Sequence, residues 1–355
     1  MSTPTRPYAS RYGGLWPDRH NADALLAERR QRGMLTDEDA ELLRQWREKG
    51  YVQIPNAVPA SVLDEILAEQ DRVWQTGDSA FRVQTGHSDF IRPRPDIRYQ
   101  TGCRLLDVYA KSDAACAAIF SRKITHFLRL LFDRDILAFQ SLSFEVGSQQ
   151  AIHQDTAYVV TASPLEFAGV WIALEDIQEG SGELSYYEGS HRLPEYDFGA
   201  GTKHWDVGRD GHELHDRFLR YLHEESKTRG LPLRRFRPKR GDALIWHADL
   251  AHGGSPLTHP DPAVTRRSLV THLCPVDVDP HYYSWAPERR TKVKYREGCY
   301  YSSVHYALQP ETAASPRPAA AQAPQPVMQA PSPEWVQALK PHVPVPIKRF
   351  IKSII

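Results

Sequence analysis

The apolar positions change period once along this chain. Up to about residue 132 they recur every three or four places, as in amphipathic helices, and from Ile136 they form short runs of β-branched and aromatic residues. Thr36, followed by Asp37, Glu38 and Asp39, predicts a helix start. A threonine side chain accepts from the free N–H groups of the first turn, and acids favour the positive end of the helix dipole. Leu42, Leu43 and Trp46 mark the apolar face of this helix, and Gly50 marks its end. A strand from Tyr51 to Pro55 follows, then a helix from about Ser61 to Trp74 with Leu63, Ile66, Leu67 and Val73 on its inner side. Residues 77–100, charged and interrupted by Pro93 and Pro95, predict an irregular segment, and 113–132 predict more helix.

The short runs are Ile136–Val146, Phe167–Ile177, Leu184–Tyr187, Ala243–His247 and Ser268–Leu273, separated by Gly, Pro and Ser clusters. Few of these gaps hold a helix, so the pattern predicts a mainly β sandwich or barrel with flanking helices and argues against a doubly wound sheet. A polar insert, Glu195 to Gly241, contains a helical pattern near Leu214–Ser226. Ten of the 27 prolines fall at or after Pro310, and 312–330 is mostly Ala, Pro and Gln, which reads as a linker. In the last nine residues Ile347, Phe350, Ile351 and Ile354 fall on one helical face, with Lys348, Arg349 and Lys352 opposite. The expected organisation is an N-terminal extension (1–35), one main domain (36–309) with its β core at about 136–275, a Pro/Ala-rich linker (310–346) and a basic amphipathic end (347–355).

Composition narrows the function classes. Lys+Arg and Asp+Glu are both 44, so the net charge is zero, and a protein built to bind nucleic acid would be cationic. By segment, residues from 310 on carry +3 and the remainder −3, so only the tail is a candidate for peripheral docking on a membrane surface or a protein. Cys103, Cys116, Cys274 and Cys299 form no C-x-x-C pair and are too few for a disulfide framework, which predicts a reducing compartment. A polar N-terminus and no run of about 18–20 apolar residues predict a cytoplasmic chain without signal peptide or membrane span.

H-x-D triplets include those at 87/89, 153/155, 247/249 and 259/261. Residues i and i+2 of extended chain project to one side, where an imidazole and a carboxylate can share a metal. The pair 259/261 encloses Pro260 in a turn, and 87/89 lies in the charged segment. The pair 153/155 directly follows an apolar strand run and is the best placed. His252 ends a later run at a glycine pair and offers a third ligand; His247 with Asp249 is the local competitor. Two imidazoles and one carboxylate on one side of a metal leave open positions opposite, which suits Fe(II) that binds a chelating co-substrate and O₂. Arg266 and Ser268 share a face of the following run, where a guanidinium fork and a hydroxyl can grip a carboxylate, and Arg267 is the alternative clamp.

Residues from about 37 to 285 resemble the phytanoyl-CoA dioxygenase family of Fe(II)- and 2-oxoglutarate-dependent oxygenases. The matching pieces are G-Y-V-Q-I-P-N at 50–56, H-Q-D at 153–155, G-V-W-I-A-L-E-D at 169–176, G-S-H at 189–191, R-G-D-A-L-I-W-H at 240–247, and H-G-G-S at 252–255 with Arg266. The resemblance implies a double-stranded β-helix, or jelly roll, with iron on His153, Asp155 and His252. It further implies the 2-oxoglutarate C5 carboxylate on Arg266, with Trp171 lining that pocket. Gln140, on the strand before the ligand loop, is a further candidate for the co-substrate. Glu188 stands where the family more often has proline before G-S-H. The implied reaction is hydroxylation of an aliphatic carbon of a small or lipid-like substrate, with release of succinate and CO₂. The carboxylate of Asp155 favours hydroxylation over halogenation, since related halogenases have a small residue there. A non-catalytic jelly-roll module that binds a metal or small ligand is the second reading, and a zinc hydrolase the third. The insert at 195–241 and the aromatic–basic stretch 282–306, with Lys292, Lys294 and Arg296 in alternation, are candidate specificity elements.

Overall fold

The computed structural model describes residues 10–86, 89–199 and 201–309. The linker 310–346, the amphipathic end 347–355 and His87 of the first H-x-D pair lie outside the described residues. Six helices occur among those described: α1 (Ala22–Gln31), α2 (Asp37–Lys49), α3 (Ala60–Thr76), α4 (Asp113–Ile119), α5 (Arg122–Phe132) and α6 (Val207–Thr228). The cap of α2 is reciprocal: Asp39 N–H donates to Thr36 Oγ1 at 3.1 Å and Thr36 N–H to Asp39 Oδ2 at 2.9 Å. Gly50 closes α2 in the left-handed region, at φ 79°. Gly211, at φ 69°, kinks the start of α6.

Thirteen strands are described: β1 (Tyr51–Ile54), β2 (Val83–Thr85), β3 (Asp89–Ile91), β4 (Arg104–Leu106), β5 (Ile136–Phe144), β6 (Ala168–Ala173), β7 (Leu184–Tyr187), β8 (Leu233–Phe236), β9 (Ala243–His247), β10 (His252–Gly254), β11 (Ser268–Pro275), β12 (Val293–Arg296) and β13 (Cys299–Tyr301). The major sheet runs β1-β9-β6-β11-β5-β4-β2-β3, with the β12–β13 hairpin joined to β5 by a parallel pairing of β13. A minor sheet, β10-β7-β8, faces it. The two sheets are the halves of the jelly roll, and the major one recruits strands from well outside 136–275. The segment read as irregular holds β2 and β3; three-residue strands carry too few positions for a period of two to register.

Helices α1 to α5 cover the outer face of the major sheet. Leu43, Trp46, Leu63, Trp74 and Phe127 meet Val52, Val170, Ile172, Ile245 and Leu269 there in one buried cluster, which also takes in Leu15, Trp16 and Leu26 from the N-terminal extension. Full burial of a side chain such as Phe127 is worth about 1.5–3 kcal/mol. The inner face carries the site, and one irregularity decides what it presents. Between β11 and β5, His272 pairs with Gln140 but Leu273 pairs with Ala138, so Phe139 is an inserted residue. Before this bulge Leu137 and Phe139 point inward; after it Gln140, Leu142 and Phe144 do, because one extra residue restores their side.

Candidate active site

A cavity between the two sheets collects residues from β2, β4, β5, β6, β7, β9, β10 and β11. His153 follows β5 in extended chain, and the backbone groups of His153 and His252 bond reciprocally, N–H to O at 2.8 and 2.9 Å. That pairing brings β10 onto the ligand loop. It needs glycines: a Cβ on Gly253 would lie 2.7 Å from Gln150 O, and one on Gly254 2.7 Å from the Gln149 nitrogen. Asp155 opens a 3₁₀ turn, so the H-x-D pair is extended only as far as Gln154.

His153, Asp155 and His252 are buried, and their ligand atoms all lie within 4.8 Å of one another. Each imidazole Nε2 is 3.6 Å from Asp155 Oδ1. Both tautomers are fixed from behind: His153 Nδ1–H donates to Ala151 O and His252 Nδ1–H to Leu250 O, each at 2.8 Å. A carbonyl only accepts, so the proton sits on Nδ1 and the Nε2 lone pairs face inward. Asp155 Oδ2 accepts from Trp246 Nε1–H at 2.8 Å and lies 3.2 Å from His272 Nε2, leaving Oδ1 for the shared space. Burial works to raise the Asp155 carboxyl, but the facing His252 and His272 hold it well below the usual carboxylate range. Burial pushes His252 down to about 4, keeping it a neutral donor. Two inward imidazole lone pairs and one carboxylate oxygen fit a divalent iron with positions left open.

Arg266 is buried in the same cavity. Its Nη1 donates to Ser268 Oγ at 3.2 Å, and its guanidinium lies 5.5 Å from the ring centres of both Phe144 and Trp171. Burial pushes it down to about 10, still a cation at neutral pH, and no described carboxylate pairs with it within 4 Å. Arg267 turns away to Asp71 at 2.9 Å and Glu145 at 3.2 Å. Gln140 lines the cavity and its Oε1 is 2.9 Å from His272 Nδ1.

The competing histidines are otherwise engaged. His247 Nδ1 accepts from Asp249 N–H at 3.0 Å, while Asp249 pairs with Lys203 at 2.8 Å and Thr156 at 2.6 Å. His259 and Asp261 form an exposed turn. The insert reaches the site through Tyr158, which lines the cavity, packs on His153 and bonds His215 of α6 at 2.5 Å. The stretch 282–306 does not reach it: Tyr282 and Tyr283 both donate to Ser302 Oγ at 2.8 Å, and Lys292 and Arg290 pair with Asp279. That correction has a simple cause, since its aromatics are absorbed by a second buried cluster under β5. Glu188 accepts from Tyr51 O–H at 2.6 Å, away from the cavity. His272, Trp246, Gln84 and Arg104 escaped the sequence reading. The phase of Ser268, Val270 and His272 carried a signal for the first of these; the short β2 and β4 carried none for the last two.

A model of the phytanoyl-CoA dioxygenase family matches residues 46–264. No curated protein matches the sequence. Among solved structures, the epimerase SnoN in complex with Fe³⁺, alpha ketoglutarate and nogalamycin RO is similar, at 18% identity over 68% of this chain and 85% of that one, with a TM-score of 0.48. The carbocyclase SnoK from nogalamycin biosynthesis follows at 17% identity, 69% and 85% coverage and a TM-score of 0.47. EctD from S. alaskensis with bound Fe stands at 16% identity, 68% and 77% coverage and a TM-score of 0.47. Scores this low carry no argument about the reaction of this chain. The family match spans more than half the sequence and covers the ligand loop and β10, so the chain belongs to the phytanoyl-CoA dioxygenase family, with the jelly-roll fold and the iron and 2-oxoglutarate dependence of that class.

Proposed function

We propose that this chain hydroxylates an aliphatic C–H of a small or lipid-like substrate, with Fe(II) held by His153, Asp155 and His252 and the C5 carboxylate of 2-oxoglutarate held by Arg266 and Ser268. The observation that carries the reading is the meeting, in one cavity, of three converging ligand atoms and a buried guanidinium without a carboxylate partner. When bound with 2-oxoglutarate and O₂, iron supplies oxidation of an unactivated C–H coupled to decarboxylation of the keto acid. The residues of the chain do the placing. Ala151 O and Leu250 O aim the imidazoles, and Trp246 and His272 hold Asp155 to a single inward oxygen. Trp171 and Phe144 wall the arginine from water, where a carboxylate is bound more strongly than at an exposed site. Gln140 positions His272 and reaches the co-substrate. The carboxylate of Asp155 fills a metal position that halide would otherwise need, which favours hydroxylation over halogenation. The oxygenase unit spans residues 36–309, with 1–35 an extension and 310–346 a linker.

Asp155→Ala and His252→Ala should each abolish iron binding and substrate-stimulated succinate formation while leaving the circular dichroism spectrum unchanged. Turnover retained in either variant would sink the assignment, and so would a chloride-dependent chlorinated product in place of one gaining an oxygen atom.

A further inference from the structure

Lys203 is the only buried lysine among the described residues, at 3% exposure. It belongs to the polar insert, whose other cations are exposed or half-buried. A lysine ammonium stays in a protein interior only with a partner. Here the partner is Asp249, also buried, with Nζ 2.8 Å from Oδ2. The ammonium also lies 5.6 Å from the ring centre of Tyr12, in the N-terminal extension.

Asp249 spends its remaining acceptors on the ligand loop. Its Oδ1 accepts from Thr156 O–H at 2.6 Å, and its backbone carbonyl accepts from the Gln154 side-chain amide at 2.8 Å. Gln154 and Thr156 are the two residues that flank Asp155, so the loop is fastened on both sides of the candidate metal ligand. Asp249 itself stands three residues before His252. The two arms of the ligand cluster therefore meet at one carboxylate, and that carboxylate is answered by a cation from the insert.

The insert touches the same loop at neighbouring points. Trp205 N–H and His204 Nδ1–H both donate to Ala157 O, at 3.1 and 3.2 Å, and His215 of α6 bonds Tyr158. Stability alone does not call for the ion pair, because a well-packed apolar pair in such a place is often at least as stable. What an apolar pair lacks is the fixed acceptor for Thr156, and with it the hold on Asp155.

We propose that Lys203, acting through Asp249 and Thr156, is a positioning residue of the metal site, so that the insert sets how tightly the ligand loop holds iron. The proposal rests on the reading in which His153, Asp155 and His252 are the ligands. Coupling of this kind is reciprocal: iron on the loop steadies the insert as much as the insert steadies the loop.

The test titrates the full metal-free chain with Fe(II) by anaerobic calorimetry, without 2-oxoglutarate, alongside melting of the metal-free protein. Lys203→Met and Thr156→Val should each weaken Fe(II) binding roughly tenfold or more. Both changes lie on one path, so the double variant should bind about as well as the weaker single one. Lys203→Met leaves Asp249 buried without its cation; Lys203→Met combined with Asp249→Leu removes that charge too, and should melt close to wild type while showing the same loss of affinity. Amide hydrogen exchange over residues 203–215 should slow when Fe(II) binds the wild type. The proposal is overturned if Lys203→Met or the apolar pair binds Fe(II) as wild type does, or if the single losses multiply in the double variant. It is equally overturned if affinity merely follows the melting temperature of the metal-free protein, or if exchange in the insert is indifferent to Fe(II). Failure of the underlying reading is a separate result: His252→Ala would then bind Fe(II) as tightly as wild type, whatever Lys203 does.

Discussion

Asp155 divides its two oxygens between two jobs. Oδ2 is taken by the Trp246 indole and faces His272, and only Oδ1 meets the two imidazoles. The indole is itself lodged by an absence, since a Cβ on Gly169 would fall 2.2 Å from the Trp246 ring. Partners behind a metal ligand typically tune affinity 10–100-fold. Trp246→Phe keeps the ring volume and removes the N–H, so iron affinity measured by calorimetry should fall by roughly that factor with the melting temperature of the metal-free protein little changed. Equal affinity in the two proteins would show that the indole bond is incidental.

At the level of elements, β4 and β5 are tied by one acid. Asp107 sits just past β4 at φ 42°, a left-handed position that Asp and Asn tolerate. Its N–H donates to Ser141 O at 2.8 Å, its Oδ1 accepts from Ser141 N–H at 2.7 Å, and Ser303 O–H donates to its Oδ2 at 2.6 Å. Burial pushes its carboxyl up to about 7, against an ordinary value of 3.8. The folded state thus holds the proton more tightly than the unfolded one. This contribution to stability is full below pH 3.8 and is lost as pH rises through about 7. Asp107→Asn retains the acceptor and the backbone conformation but not the titration. Between pH 4 and 7 the wild type should lose stability relative to the variant, by at most about 1.4 kcal/mol per pH unit in urea melts. Parallel curves would refute the assignment.

The same two strands mark how far the sequence could be read. Long elements with strong periodicity and chemical caps, such as α2 with Thr36, Asp39 and Gly50, were legible because local rules and tertiary packing agree there. So were β6, β9 and β11, whose apolar runs are long, and the meeting of His153, Asp155, His252 and Arg266 in one cavity, whose order along the chain is itself a signal. What was not legible depends on pairing. Phe139 looks like any other strand residue, yet as the bulge it decides that Gln140 faces the cavity. Arg104 lies in a three-residue strand, and only its neighbours Gln84 and Phe144 reveal that it points into a pocket.

For the whole molecule, the candidate metal position lies at a seam. His153 belongs to the loop leaving the major sheet, and His252 opens a strand of the minor one. Among the described residues no helix is long and apolar enough to cross a membrane. The His153–His252 backbone pairing and a bond from Gly254 N–H to Gln150 O at 2.9 Å join the halves there, and an ion on both histidines would supplement them. Two sheets joined through one ion behave as a linked equilibrium. Occupancy at a hundredfold excess over the dissociation constant adds about 2.7 kcal/mol to the folded state. The apparent melting temperature should therefore climb with the logarithm of free Fe(II) and drop on chelation, and His252→Ala should show no such slope. The His–Asp–His cluster would then work as a clasp as well as a reaction centre: the availability of iron would set how strongly the fold resists unfolding as well as whether the protein turns over.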